Sequence, residues 1–173
     1  MVTSRLYSLN KSYAEGVGVV RVSASQAKWI RDLARRMPYY KHLGMTLTRL
    51  SLGGSEMKMK VRRELTQDAG FAHGGSIASI VDSVVGLALC TMLKPQESIT
   101  TIELKVNFVA PAKLGWVRGR GRILHKGRTV AVGEAEVIDE TGKLIAKGLV
   151  TYIVIGKRNT RAQPQTLRKQ GTF

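Results

Sequence analysis

The sequence predicts an α+β fold in which an antiparallel sheet of about six strands wraps around one long central helix, with a short helix before it. Three observations carry this prediction. The stretch from Gly74 to Leu93 runs for twenty residues with a single charge, Asp82. Segments of period-two alternation stand on both sides of it. A helix without a charged face can be hidden only if the sheet curls around it.

Each element follows from its local pattern. Ser25 to Arg36 places Ala27, Ile30, Leu33 and Ala34 at helical spacing, and Pro38 is expected to stop this helix soon after Arg36. Met45 to Leu52 and Ser55 to Val61 read as a hairpin turning at Gly53-Gly54. In its second strand Met57 and Met59 alternate with Lys58 and Lys60, the sign of one wet face. Glu64 to Ala72 is a loop, and the long helix follows it. Ser98 to Val109 alternates until Pro111 breaks it, and Trp116 to Leu124 alternates arginines with apolar residues or glycine. A turn at Lys126-Gly127-Arg128 leads to a strand over Thr129 to Ile138. A second turn, Glu140-Thr141-Gly142, leads to a last strand over Leu144 to Ile155. There are no internal repeats.

Composition bounds the possibilities. A chain of 173 residues with 43% hydrophobic content suits one domain with a substantial core. We divide it into an N-terminal extension over residues 1–24, the domain over 25–155, and a basic tail over 156–173 expected to be disordered. The single cysteine, Cys90, excludes a disulfide framework, and with only three histidines no metal-ligand cluster is expected. That usage suits a reducing, cytoplasmic setting. No apolar signal core is present in the first thirty residues, although their basic, Ser-containing composition is compatible with an organellar presequence. Gly74 to Leu93 is long enough to span a bilayer, but its Gly-Gly start, central Asp82 and serines mark a core helix instead.

The formal charge of +16 is unevenly spread: residues 1–43 and 156–173 supply eleven of those charges. A nucleic-acid domain would concentrate basic residues on folded elements with aromatics between them, and aromatics are 6% of this chain. No specific nucleic-acid partner is expected, and the flanks read as solvated appendages.

The chemistry concentrates where the irregular loop meets the long helix. Two glycines at a helix start leave backbone N–H groups bare, so an electron-rich oxygen can sit against Gly74 and Gly75. Asp82, a lone carboxyl in an apolar helix, needs a reason to be there. It would be a wet-face residue together with Ser79, Ser83 and Gly86, but a stripe without Lys or Arg makes a poor wet face. Gly74-Gly75-Ser76-Ile77-Ala78 is not a serine-hydrolase elbow. Cys90 lies within the apolar helix as a buried thiol would, and no phosphate-cradling or dinucleotide-binding glycine pattern appears.

Four motifs in order resemble the acyl-CoA thioesterases of the phenylacetate-degradation type, within the 4-hydroxybenzoyl-CoA thioesterase superfamily. They are Gly70-Phe71-Ala72-His73-Gly74-Gly75; Asp82 nine residues after His73; Lys105-Val106-Asn107-Phe108-Val109-Ala110-Pro111-Ala112; and Lys126-Gly127-Arg128 followed by Thr141-Gly142-Lys143. The resemblance covers roughly residues 40 to 155 and implies the hot-dog fold, in which a sheet wraps one helix.

Thioester hydrolysis needs a donor for the carbonyl oxygen and a carboxylate that activates water or attacks directly. Gly74, with Gly75 beside it, supplies the first and Asp82 the second. The two are eight residues apart, about 12 Å along one helix, too far to share one carbonyl. Two antiparallel helices about a two-fold axis would bring Asp82 of one subunit to Gly74 of the other, so a homodimer with shared sites is expected. The resemblance implies the same, with dimers paired into tetramers.

Further roles rest on the resemblance alone. Gln67 falls where relatives carry an Asn or Gln that holds the loop and the thioester, and Thr101 matches a Ser or Thr that positions water. His73 orders the loop rather than facing the carbonyl. Gly75 and the turn of His125, Lys126, Gly127, Arg128, Thr129 and Val130 match positions that contact CoA. Arg118, Arg120 and Arg122 would add to a basic rim for its phosphates. No cofactor is implied. Two other readings of the fold remain open, a non-catalytic acyl-CoA regulator and a dehydratase or hydratase, though the latter pairs Asp with a catalytic His that is not visible near Asp82.

Overall fold

The computed structural model describes residues 22–156. The extension expected over 1–24, apart from its last three residues, and the tail over 156–173, apart from Gly156, lie outside them. Helix α1 spans Ala24–Arg36, capped by Ser23, whose hydroxyl accepts the Gln26 N–H, with Arg35 and Arg36 against the negative end of the helix. Pro38 does not simply end the helical segment. It occupies the first position of a second helix, α2 (Pro38–Leu43), where its fixed φ and missing N–H cost nothing, and Gly44 closes that helix at φ +69°.

Strands β1 (Met45–Ser51) and β2 (Gly54–Val61) form the expected hairpin, with Gly53 at φ +67° in its turn. After a short 3-10 turn at Arg63–Leu65 comes α3 (Gly74–Cys90), three residues shorter than expected because Thr91 caps it by donating to the Ala88 carbonyl. Then follow β3 (Glu97–Phe108), β4 (Gly115–Lys126), β5 (Val130–Asp139) and β6 (Leu144–Gly156). The six strands form one antiparallel sheet in the order β1-β2-β4-β5-β6-β3. Lys126 therefore belongs to a strand, and only Gly127 to Thr129 form the turn beyond it.

The sheet wraps α3, of which eleven residues are buried. What lets the helix lie so close is a floor of glycines. A Cβ at Gly121 would stand 2.8 Å from the Val84 backbone, and one at Gly133 or Gly148 would stand 2.4 Å from the side chains of Val85 and Val81. Arginines alternate with these glycines along β4 because the other face of the strand is the outer surface of the sheet. Hydrogen bonds then tie the periphery to the helix. Ser55 donates to the Val84 carbonyl, and Gly53 N–H donates to Thr91. Gln26 of α1 donates to the carbonyls of Cys90 and Leu93, satisfying groups that the helix end leaves bare. Ile30 and Ala34 bury the inner face of α1 in the same core.

Gly121→Val is expected to destabilise the protein by about 3 kcal/mol, because the contact it creates is with helix backbone, which cannot rotate away. Chemical denaturation measures this as a lowered midpoint.

Candidate active site

The start of α3 is built by a closed loop. Thr66 bridges to Ala72, Gln67 N–H donates to the Phe71 carbonyl, and Gly70, at φ +79°, donates back to Gln67. Ala72 and His73 are held in turn by the carbonyls of Ala112 and Leu65. His73 is the N-cap, and its Nδ1 accepts the Gly75 N–H at 3.0 Å. The Gly75 N–H is therefore already engaged at the helix start. Among the described residues the Gly74 N–H has no hydrogen-bond partner. The ring of Phe108 stands beside it, 3.3 Å from where a Cβ on Gly74 would lie. Gln67 is exposed and joins the loop through its backbone.

Asp82 sits on the one stripe of α3 that the sheet leaves partly open, with Ala78, Ser79 and Gly86. Thr101 Oγ1 donates to its Oδ1 at 2.9 Å, and the Tyr152 hydroxyl lies 2.8 Å from the same oxygen and 2.6 Å from the Asp82 carbonyl. Thr101 and Tyr152 are cross-strand neighbours of β3 and β6. A bulge follows immediately, leaving Ile102 out of register before Glu103 pairs with Thr151. By absorbing one residue it keeps both Thr101 and, beyond it, Leu104 turned toward the helix. Gly86 gives the Tyr152 hydroxyl room, since a Cβ there would come within 3.3 Å of it.

These groups line a cavity of about 540 Å³ between α1 and α2 on one side and α3 and β3 on the other. Its walls are largely apolar, including Leu33, Met37, Leu87 and Ile99. Tyr39 crosses its edge to Ser79, its hydroxyl 2.6 Å from Ser79 Oγ, while Ser79 donates to the Gly75 carbonyl. Two buried tyrosines face Asp82. Burial pushes the Tyr40 phenol up to about 12, with Asp82 and Cys90 adding to the shift and a hydrogen bond to Ser83 opposing it. Burial, reinforced by Asp82, pushes Tyr152 still higher, so it remains a hydrogen-bond donor across the neutral range.

The expected residues therefore fall into three groups. Asp82 and Thr101 meet directly. Gln67, His73, Gly74 and Gly75 gather at the start of α3, and the CoA turn stands beyond its other end, where Lys126 pairs with Glu97 at 3.6 Å. His125, Arg128 and Thr129 of that turn are exposed, and Gly127 N–H bonds to the Val130 carbonyl. Arg118, Arg120 and Arg122 do not rim the cavity. They lie on the outer face of β4, paired with Glu56, Glu134 and Glu136. Tyr152 and Phe108 are the site residues that sequence reasoning missed. No spacing marks them, and only the β3–β6 register and the bulge make Tyr152 a partner of Asp82. Among the described residues no group of three or more His, Cys, Asp or Glu is arranged to hold a metal, and no helix is long and apolar enough to cross a membrane.

Residues 69–146 match the thioesterase superfamily. Human acyl-coenzyme A thioesterase 13 is 30% identical over 69% of this chain and 86% of its own length. The chain belongs to the thioesterase superfamily. A thioesterase family protein from Silicibacter pomeroyi is similar in structure, with TM-score 0.72 and 30% identity, covering 76% of this chain and 98% of that one. The PaaI protein of the E. coli phenylacetic acid degradation operon shares the fold at TM-score 0.73 and 18% identity, over 79% of this chain and 97% of that one. The fold is thus the hot-dog fold and the protein a thioester hydrolase.

Two outcomes follow from this geometry. Tyr152→Phe is expected to lower kcat about ten-fold while KM changes little, because it removes a hydrogen bond to the carboxyl without reshaping the cavity. For Tyr40, ordinarily near 10, the folded state holds its proton more tightly than the unfolded chain. Its contribution to stability is therefore full below pH 10 and is lost as pH rises through about 12. Denaturant midpoints should fall across that window, and less steeply in Tyr40→Phe.

Proposed function

We propose that this thioesterase hydrolyses acyl-CoA to a free acid and CoA, with a medium- or long-chain or aryl-acetyl group as the acid. The observation that carries this reading is a carboxyl fixed by two donors through one oxygen, at the wall of an apolar cavity. Asp82 Oδ2, which has no hydrogen-bond partner among the described residues, takes a proton from water held with Thr101. That water attacks the thioester carbon, and the carbonyl oxygen becomes an oxyanion on the Gly74 N–H. Collapse breaks the C–S bond, and the CoA sulfur leaves as thiolate and is protonated. Direct attack by Asp82 uses the same placement: it expels the CoA thiolate, forming a mixed anhydride that water then cleaves to the free acid and the aspartate.

The site is shared between two subunits in this reading. Within one chain α3 is a rigid rod that holds Gly74 and Asp82 about 12 Å apart. Its neighbour β3 is an edge strand, and its Ile102 and Phe108, with Val109 just beyond it, are more than half exposed. An open apolar edge of that kind calls for a second copy. Packed antiparallel, each Asp82 meets the partner's Gly74, and dimers pair further. His73 and Gln67 hold the loop that presents Gly74. Gly75 and the turn from His125 to Val130 contact CoA, with Arg128, which makes no ion pair among the described residues, available to a phosphate. A human relative carries the name acyl-coenzyme A thioesterase, which favours CoA as the thiol.

Thiol release from a panel of acyl-CoAs tests the activity. Asp82→Asn should lose about a hundred-fold or more in rate with its fold intact. If acyl-CoA binds but no thiol appears with either protein, the site is a sensor rather than an enzyme. Sharing is tested by mixing inactive chains. Asp82→Asn and Gly74→Pro, each inactive alone, should regain about a quarter of native activity when co-assembled, since half the dimers are mixed and each then holds one intact site. Sites contained in single chains would regain nothing.

A further inference from the structure

A second cavity, of about 350 Å³, lies at the far end of the first from Asp82. The two share four lining residues: Trp29, Cys90, Leu93 and Glu97. Trp29 is the bulkiest of them, projecting from α1, which Gln26 anchors to the carbonyls of Cys90 and Leu93 at this same boundary. Both linings mix apolar and polar groups: Leu33, Leu87, Ile99 and Leu104 with Ser79, Ser83 and Ser98 on the Asp82 side, and Cys90, Leu93 and Pro95 with Ser23, Ser25 and Lys94 beyond Trp29.

We propose that Trp29 is the chain-length stop of the acyl site: its indole ends the cavity that receives the acyl chain and separates it from the one behind. This rests on the acyl-CoA reading of the Asp82 site. The length it sets follows from the helix that both ends share. Asp82 and Cys90 are eight residues apart, about 12 Å along α3. A C–C bond of about 1.5 Å advances an extended chain by about 1.2 Å, so the span holds about ten carbons. A longer saturated chain has to displace the bulky indole from the packing at this boundary before it can extend into the second cavity. Removing the indole vacates the volume of one of the largest side chains, enough for about three or four further carbons.

The test compares kcat/KM across saturated acyl-CoAs from butanoyl to stearoyl. The native protein should be most active near decanoyl and fall at least about ten-fold by palmitoyl. Trp29→Ala should move the maximum to about tetradecanoyl and leave butanoyl within about two-fold of native. Leu93→Ala, which opens the same boundary from the other side, should shift the profile in the same direction and serves if Trp29→Ala does not fold. Equal native activity on decanoyl and palmitoyl, or an unchanged profile in a folded variant, overturns the proposal.

Binding separates this idea from the hydrolase reading. In a Trp116→Phe background Trp29 is the sole tryptophan. Its emission should respond to saturating decanoate and longer fatty acids but not to butanoate. If it does so while no thioester is cleaved, the hydrolase reading fails and the stop stands. If thioesters are cleaved but the emission ignores chain length, the stop fails and the hydrolase stands.

Discussion

The contact on which the molecule depends is that between α3 and the glycines beneath it. At Gly121, Gly133 and Gly148 the helix lies where a Cβ would collide at 2.4–2.8 Å. Packing that close excludes water from most of the helix surface and leaves the sheet only one way to curve. It also decides where chemistry is possible. The faces of α3 turned to β2, β4, β5 and β6 are filled with valine, isoleucine and leucine. The cavity opens beside one face, that of Ala78, Ser79, Asp82, Ser83, Gly86, Leu87 and Cys90. A carboxyl on one of the faces packed by the sheet would be buried without a partner, at a cost of several kcal/mol.

The same economy of small residues continues at the site. Gly86 makes room for the Tyr152 hydroxyl, and the bulge after Thr101 turns that threonine and Leu104 toward the helix. Both donors converge on Oδ1, which fixes the carboxyl plane and reserves its other oxygen. That arrangement is the one the proposed general-base role of Asp82 needs. The N-terminal helices supply the opposite wall, so α1 and α2 are parts of the site rather than an appendage to it.

Much of the fold was legible in the sequence because its signals are local. A helix of that length with one charge, six strand segments and glycine-rich turns lead to a wrapped sheet by simple exclusion. Asp82 and the Gly-Gly start were legible for the same reason, since each breaks a local rule. What remained hidden depends on register. Tyr152 meets Asp82 through a cross-strand pairing that spans half the domain, and a one-residue bulge shifts the alternation of β3 where spacing shows an unbroken pattern. Helix α2 was hidden because proline reads as a stop, although it also starts helices. The occupied Gly75 amide could not be foreseen, because whether a histidine caps a helix depends on its rotamer.

Charge shows the same division between what composition states and what folding decides. A net charge of +16 invites the assignment of every arginine on β4 to an anionic ligand. The strand pleat places Arg118, Arg120 and Arg122 on the outer face, and the neighbouring strands set Glu56, Glu134 and Glu136 against them. Such exposed pairs contribute little to stability, but they cancel much of the field that the arginines would project. Lys126 is likewise engaged by Glu97, at the boundary between the two cavities. Under the proposed acyl-CoA reading, the positive field left for a CoA phosphate is therefore that of Arg128 at the turn rather than that of the sheet.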